Sequence, residues 1–342
     1  MKNADSSRAR LPINAPTPTL PEEPFSAVLQ GEATNALTKF SSKGLAPHDI
    51  TGHMVIKRGN TSVKIENFRD LATGFKVSTA QLLDAMTLQL TRNSAKSATV
   101  AMSLEEYMAL GQVKNRRDAY RQAAADLEVL FNSRLSYVEK KRGQDGKNFL
   151  DLHICESKAI TNGIIYFTFG STIFTLLKGY RIMQYPPQLF HKHNNRNPHR
   201  FYLGRKIAEH KNMNYHKANA DIIAVKTLLA ICPELPTYEE VIKTDRRLGA
   251  RIIDPFERDM DSLSDIFSWH YCHSNGSPLT KEETDERPSY EQFAARLVKV
   301  TWNQYPDRPP KSLPALSSDP ASKERGGQRT ARKRGGGGQP TS

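Results

Sequence analysis

The chain has 342 residues, with 49 Lys/Arg against 36 Asp/Glu and a formal net charge of +13. That length suits two domains plus tails, and the charge favours a polyanionic partner, either nucleic acid or an anionic membrane surface. No run of about 18 apolar residues occurs, so no transmembrane helix is expected, and Met1–Pro24 has five prolines and no apolar core, unlike a secretory signal.

Residues 311–342 carry seven Lys/Arg and two acids, so most of the positive excess lies elsewhere. The cysteines, Cys155, Cys232 and Cys272, are odd in number and far apart, which suits reduced thiols in a cytosolic compartment.

Residues 1–50 read as a disordered arm, because Pro12, Pro16, Pro18, Pro21, Pro24 and Pro47 sit among Ser, Thr and Asn. A first domain is expected over 51–180. Leu82, Leu83, Met86 and Leu90 form one stripe of a helix over 78–91. Thr99–Met102 reads as a strand. Ser103 and Glu106 have capping-box spacing, opening a short helix that stops at Gly111 as C′ residue. Asn115 is a good N-cap for a second helix with Tyr120, Ala123, Leu127 and Leu130 inward. A hairpin follows, with strands Leu135–Lys141 and Phe149–Glu156 and a turn at Asp145-Gly146. A strand Ile164–Phe169 and a helix through Leu177 close the domain.

Helix, short helix, helix, then hairpin is the order of a winged helix, whose second helix of the pair enters the major groove N-terminus first. Here that helix opens with Lys114, Asn115, Arg116 and Arg117, and Arg121 follows one turn later.

A basic linker with helical character is expected over 181–215. The stretch 181–217 holds eight Lys/Arg, one acid (Glu209) and five of the ten histidines. Tyr185, Phe190, Phe201, Tyr202 and Tyr215 interleave with them. Arg196, Arg200, Arg205 and Lys206 are candidate phosphate contacts, with the aromatics as stacking support. The competing reading makes Phe201 and Tyr202 core residues.

A second domain is expected over 216–310. Ala218–Ile231 reads as a helix with Ile222, Val225, Leu228 and Leu229 inward. Thr237 and Glu240 form a second capping box, for a helix reaching Lys243. Asp245, Arg246 and Arg247 open a long helix with Leu248, Ile252, Phe256, Met260, Leu263 and Phe267 buried. On regular helical phasing Arg247, Arg251 and Arg258 share a face within about 40°. Pro255 either kinks this helix or breaks it, with Asp254 as N-cap and Pro255 at N1. Ile266–Cys272 and Leu297–Tyr305 read as wing strands carrying Trp269 and Trp302. Residues 311–342 read as a disordered tail, with Arg332-Lys333-Arg334 and then Gly335–Gly338, suited to non-specific phosphate affinity.

The motif Ser/Thr-x-x-Glu, short helix, Asn/Asp-Arg-Arg, hairpin thus occurs twice. It is either a weak internal repeat or coincidence, since capping boxes and Arg-Arg pairs are common. The fold expected is α+β, with two winged-helix domains in tandem between a disordered arm and a basic tail.

Three stretches resemble the iteron-binding plasmid replication initiator (Rep) proteins built from two winged helices. The first is Ser103–Leu130, with Asp118-Ala119-Tyr120-Arg121 and Leu127. The second is Gly163-Ile-Ile-Tyr-Phe-Thr-Phe169 with His199-Arg200-Phe201-Tyr202-Leu203-Gly204-Arg205. The third is Arg246-Arg247-Leu-Gly-Ala-Arg-Ile-Ile-Asp-Pro255-Phe256-Glu257, similar to the family's recognition helix. The chain departs from the family in a long histidine-rich turn, where the family's linker helix continues directly into a short one, and in an insertion at about Ser274–Ser289 in the second wing. The resemblance implies binding to repeated origin duplex DNA, melting of adjacent DNA, recruitment of host initiator and helicase, dimerisation, copy control and autorepression. It implies no cofactor.

Enzymatic readings fit less well. His191-Lys192-His193 lacks the apolar residue between metal ligands that an origin-nicking enzyme needs. His270, Cys272 and His273, or His153 and Cys155, do not have zinc-site spacing, so no metal is expected. No GxxxxGK[ST] loop is present. The readings carried are a non-enzymatic replication initiator, a winged-helix transcription regulator, and a nicking enzyme. Two readers in one chain favour the first. Of the two Arg-Arg pairs, Arg246-Arg247 is expected to read bases, with Lys243, Arg251 and Arg258 beside it. Arg116-Arg117 is expected to clamp phosphate or serve dimerisation.

Overall fold

The computed structural model describes residues 26–30, 53–58, 61–66, 71, 74–139, 148–178, 181–191, 196–232, 235–244, 247–285 and 288–306. Strand β1 is Ser26–Gln30, β2 Met54–Arg58 and β3 Thr61–Ile65. Strand β1 lies within the stretch expected to be a disordered arm. It pairs antiparallel with β9, Arg181–Tyr185, from Ser26 opposite Tyr185 to Gln30 opposite Arg181.

Helix α1, Val77–Arg92, is buried almost all round, beyond the single stripe expected. Besides Leu82, Leu83, Met86 and Leu90, it buries Asp84, Thr87 and Gln89. A helix covered on every side is a central core element, and its polar residues therefore need internal partners.

Strand β4, Thr99–Ser103, leads directly into α2, Leu104–Gly111. Ser103 Oγ accepts from the Glu106 amide at 3.0 Å, which is half of the expected capping box. The Glu106 carboxylate does not return to Ser103. It is buried and accepts from Gln89 Nε2 at 2.7 Å and from Arg92. Gly111 is the last helical residue, and the left-handed cap is Gln112 with φ 50°. Helix α3, Arg116–Phe131, has the expected cap, because Asn115 Oδ1 accepts from the amides of Arg117 and Asp118. Ala123, Leu127 and Leu130 are buried as expected, but Tyr120 is 47% exposed.

The first wing differs from the hairpin expected. Strands β5, Ser133–Glu139, and β6, Asn148–His153, pair with each other and join β2 and β3 in a four-stranded sheet. The Asp145-Gly146 turn lies outside the described residues. The wing is instead β7, Cys155–Thr161, and β8, Ile164–Phe169, which pair in the order β4-β8-β7. Their turn is Asn162-Gly163, with φ 52° and 75°. Two left-handed residues make the tight turn that matches strand twist, and glycine takes the second position without a Cβ penalty. The expected single strand Phe149–Glu156 is cut at Ile154, where the chain changes sheets. Helix α4, Ser171–Lys178, follows.

The second unit begins earlier than expected. Helix α5, Arg200–Met213, is its first helix and no free linker. Ala218–Ile231 is not one helix. It contains strand β10, Ile222–Ala224, and helix α6, Val225–Leu229. The Thr237 capping box forms in full, with Glu240 N to Thr237 Oγ1 at 3.3 Å and Thr237 N to Glu240 Oε2 at 2.7 Å. It starts α7, Tyr238–Thr244. Because α6 intervenes, this box is not equivalent to that at Ser103, which follows its strand directly.

Leu248 is helical and leads into a π turn at Gly249–Ile253, which continues into α8, Asp254–Asp261. Pro255 therefore does not break the element. Asp254 is in helical conformation, and Ile252, Phe256, Met260, Leu263 and Phe267 are buried as expected. Strands β11, Phe267–Cys272, and β12, Leu297–Trp302, pair with Phe267 opposite Trp302. The sheet order β10-β12-β11 repeats β4-β8-β7. The insertion between β11 and β12 folds back as α9, Lys281–Asp285, and α10, Tyr290–Ala295. Its Phe293 is fully buried against Phe256 and Tyr271.

The α+β class holds, and both units have winged-helix strand order. They share one continuous hydrophobic cluster, running from Val63 to Val300. Helix α5 packs so closely at the junction that a Cβ on Gly204 would stand 2.5 Å from Leu189 and 2.9 Å from Leu263.

Candidate nucleic-acid interface

Two exposed basic groups stand at the N-terminal ends of two helices. In the first unit, Lys114, Asn115, Arg116, Arg117 and Arg121 are all exposed. Asn115 spends its side chain on the backbone of α3, fixing where the arginines project. Arg116 is ion-paired with Glu105 on α2. It also lies against the wing turn, since a Cβ on Gly163 would come within 2.8 Å of its Nη2. Arg116 therefore ties the α2–α3 corner to the wing and carries a partly neutralised charge. On helical phasing Arg117 and Arg121 leave α3 in other directions than Arg116.

In the second unit, Lys243, Arg247, Arg251 and Arg258 are exposed, whereas Arg246 lies outside the described residues. The π turn alters their expected alignment. It adds about one residue to the helical turn, so Leu248 and Phe256 stay on one buried side although eight positions apart. The same shift moves Arg247 off the line of Arg258 by about a quarter turn, where regular phasing puts them together. The acids are also unevenly placed. Arg258 Nε stands 3.4 Å from Asp259, Glu257 accepts from the Tyr271 hydroxyl at 2.8 Å, and Asp261 accepts from Trp269 Nε1 at 3.0 Å. Burial beside other carboxylates raises the pKa of Glu257. Arg247 and Arg251 stand at the start of this helix, and both are exposed.

The linker residues do not form a phosphate track. Arg205 is 2% exposed and makes a bidentate contact with Asp84 on α1, Nε to Oδ2 at 2.9 Å and Nη2 to Oδ1 at 3.1 Å. Arg200 donates twice to Asp265, at 2.8 and 2.7 Å, and Lys206 pairs with Glu209 at 3.0 Å. Arg196 is exposed. The reason lies in α5 itself. It buries Phe201, Tyr202, Leu203, Ile207 and Ala208, so its cations meet acids on α5 and on the elements packed around it. Tyr185 and Phe190 are likewise buried, with ring centroids 4.7 Å apart, so the core reading of these aromatics holds.

Sequence reasoning missed the junction that orients the two basic groups. His199, just before α5, donates its backbone amide to Asp259 Oδ2 on α8 at 2.8 Å, and its Nδ1 lies 2.6 Å from the same oxygen. Gln81 Nε2 donates to the carbonyls of Leu189 and His191 at 2.7 and 2.9 Å. The one legible signal is Asp84, a carboxylate inside an apolar helix stripe.

His270 and Cys272 alternate along β11, and His273 lies beyond its end. Among the described residues no group of three His, Cys, Asp or Glu could hold a metal ion. The three cysteines are buried and form no disulfide. Among the same residues no helix is long and apolar enough to cross a membrane. Of the run His191-Lys192-His193, Lys192 and His193 lie outside the described residues.

No described protein family matches the chain, and no curated protein does. Solved structures with some likeness include domains 2 and 3 of RctB, as a selenomethionine derivative. That alignment covers 80% of this chain and 99% of that one, at 9% identity and TM-score 0.43. A second RctB domain 2–3 structure aligns over 75% of this chain and 93% of that one, at 10% identity and TM-score 0.34. The WH1 domain of MSBI1.176, a replication protein isolated from a multiple sclerosis patient, covers 30% of this chain and 79% of that one, at 17% identity and TM-score 0.24.

Proposed function

We propose that the chain is a non-enzymatic plasmid replication initiator acting in the bacterial cytoplasm. It binds repeated origin sequences in duplex DNA, promotes opening of adjacent DNA and recruits the host initiator and helicase. It also dimerises and represses its own gene. The observation that carries this reading is the pairing of two winged-helix units on one core, each with exposed cations at the start of a helix. A helix N-terminus with projecting arginines suits contact with base edges and phosphates in the major groove. A shared core holds the two readers at a set spacing, which favours extended or repeated sites.

The test is replication in a vector that lacks its own initiator but carries this coding sequence and its flanking DNA. The vector is expected to replicate with the parent chain and to fail with Arg247→Ala plus Arg251→Ala. A nicked product from supercoiled origin DNA with magnesium or manganese, abolished by a single Tyr→Phe change, would replace this reading with that of a nicking enzyme.

A further inference from the structure

Gly249 sits in the first turn of the helix that carries Arg247 and Arg251, within the π turn Gly249–Ile253. Among the described residues nothing accounts for a glycine there. Its φ is not left-handed, unlike those of Gly163 and Gly276. Among the described residues a Cβ built on it would meet no atom nearer than Asp254 Oδ1 at 4.0 Å, whereas one on Gly204 would strike two leucines below 3 Å. Glycine is the poorest helix former after proline, and alanine would fit this space.

The surroundings point outward. Gly249 is exposed, as are Ala250 and the arginines at 247 and 251. Between the two arginines only Gly249 and Ala250 are exposed, on a turn of the wider π type that recurs at functional sites. A bulky, negatively charged surface approaching this turn would be met by two cations with no large side chain at the exposed positions between them.

We propose that Gly249 is the point of closest approach between this helix and duplex DNA, where the missing side chain lets the backbone reach the groove wall. The inference rests on the DNA-reading function proposed for this helix. A methyl group at 249 holds the helix off the DNA, lengthening the contacts of Arg247 and Arg251 together.

The experiment compares the full chain with Gly249→Ala, Gly249→Leu and Arg251→Ala. The probes are a duplex selected by the parent chain from a randomised pool and a shuffled duplex of equal length. Gly249→Ala is expected to keep or raise the Tm, since it improves helix propensity. It should weaken binding to the selected duplex about fivefold, and Gly249→Leu about fiftyfold or more. Binding to the shuffled duplex should change less. If both glycine variants bind like the parent while Arg251→Ala loses discrimination, Gly249 is not the contact point. If Arg251→Ala also keeps full discrimination, the helix is not the reader and the inference falls with it.

Discussion

Arg205 and Asp84, 121 positions apart, form a bidentate ion pair in which each side chain is 2% exposed. It ties α5 to α1, the central helix of the first unit. Breaking a buried pair from one side leaves an uncompensated charge, which costs about 3–5 kcal/mol. Arg205→Ala is therefore expected to lower unfolding free energy by about that amount in denaturant titration. The salt dependence of DNA binding should keep its slope in the folded fraction. An unchanged unfolding midpoint with a flatter salt slope would return Arg205 to the phosphate contacts.

The reading helix makes a graded prediction. Arg247→Ala and Arg251→Ala should each cost about 1–3 kcal/mol of discrimination between a selected and a shuffled duplex. Arg258→Ala should cost less, because it lies about two turns further along the helix than Arg251, away from the N-terminal end that meets the groove. Quantitative binding at one fixed salt concentration measures all three.

Helix patterning, strand pairing and caps made much of this fold legible. Asn115 is the N-cap, Thr237 and Glu240 close their box, and the stripe from Ile252 to Phe267 is buried. What escaped is tertiary. The insertion β5–β6 displaced the wing to β7–β8, because two adjacent hairpins look alike until their sheets are known. Helix α5 read as a basic linker because Arg200, Arg205 and Lys206 are charged, and charge alone does not reveal an acid partner far away in sequence. Pro255 left kink and break open, and the π turn resolves it through the needs of Leu248 and Phe256 in the core.

Asp126 gives a pH signature. Burial pushes its pKa up to about 6, against the hydrogen bonds of Thr79, Gln122 and Ser78, which favour the carboxylate. A carboxyl whose folded pKa is raised contributes most stability below its unfolded pKa. That contribution is lost as pH rises through the window from about 4 to about 6. Asp126→Asn should remove this pH dependence and stabilise the chain at neutral pH by about 3 kcal/mol, less whatever its altered hydrogen bonds cost. Thermal unfolding at a series of pH values checks it. A variant with the parent's slope between those limits would contradict the assignment.

The first unit should behave as a clamp. Lys114→Ala, Arg117→Ala and Arg121→Ala are each expected to weaken selected and shuffled duplexes alike, and to reduce the slope of log K against log salt by about 1. Arg116→Ala should do less to that slope, because Glu105 already shares its charge. Salt titrations of each variant measure the difference.

The central claim is sequence-specific binding of duplex DNA. It is tested most directly by equilibrium binding of the full chain to duplexes from the DNA flanking its coding sequence, against shuffled duplexes at the same salt. The account predicts a preference of about a thousandfold or more for a repeated element in that DNA. Equal affinity for native and shuffled duplexes at every salt concentration would contradict it.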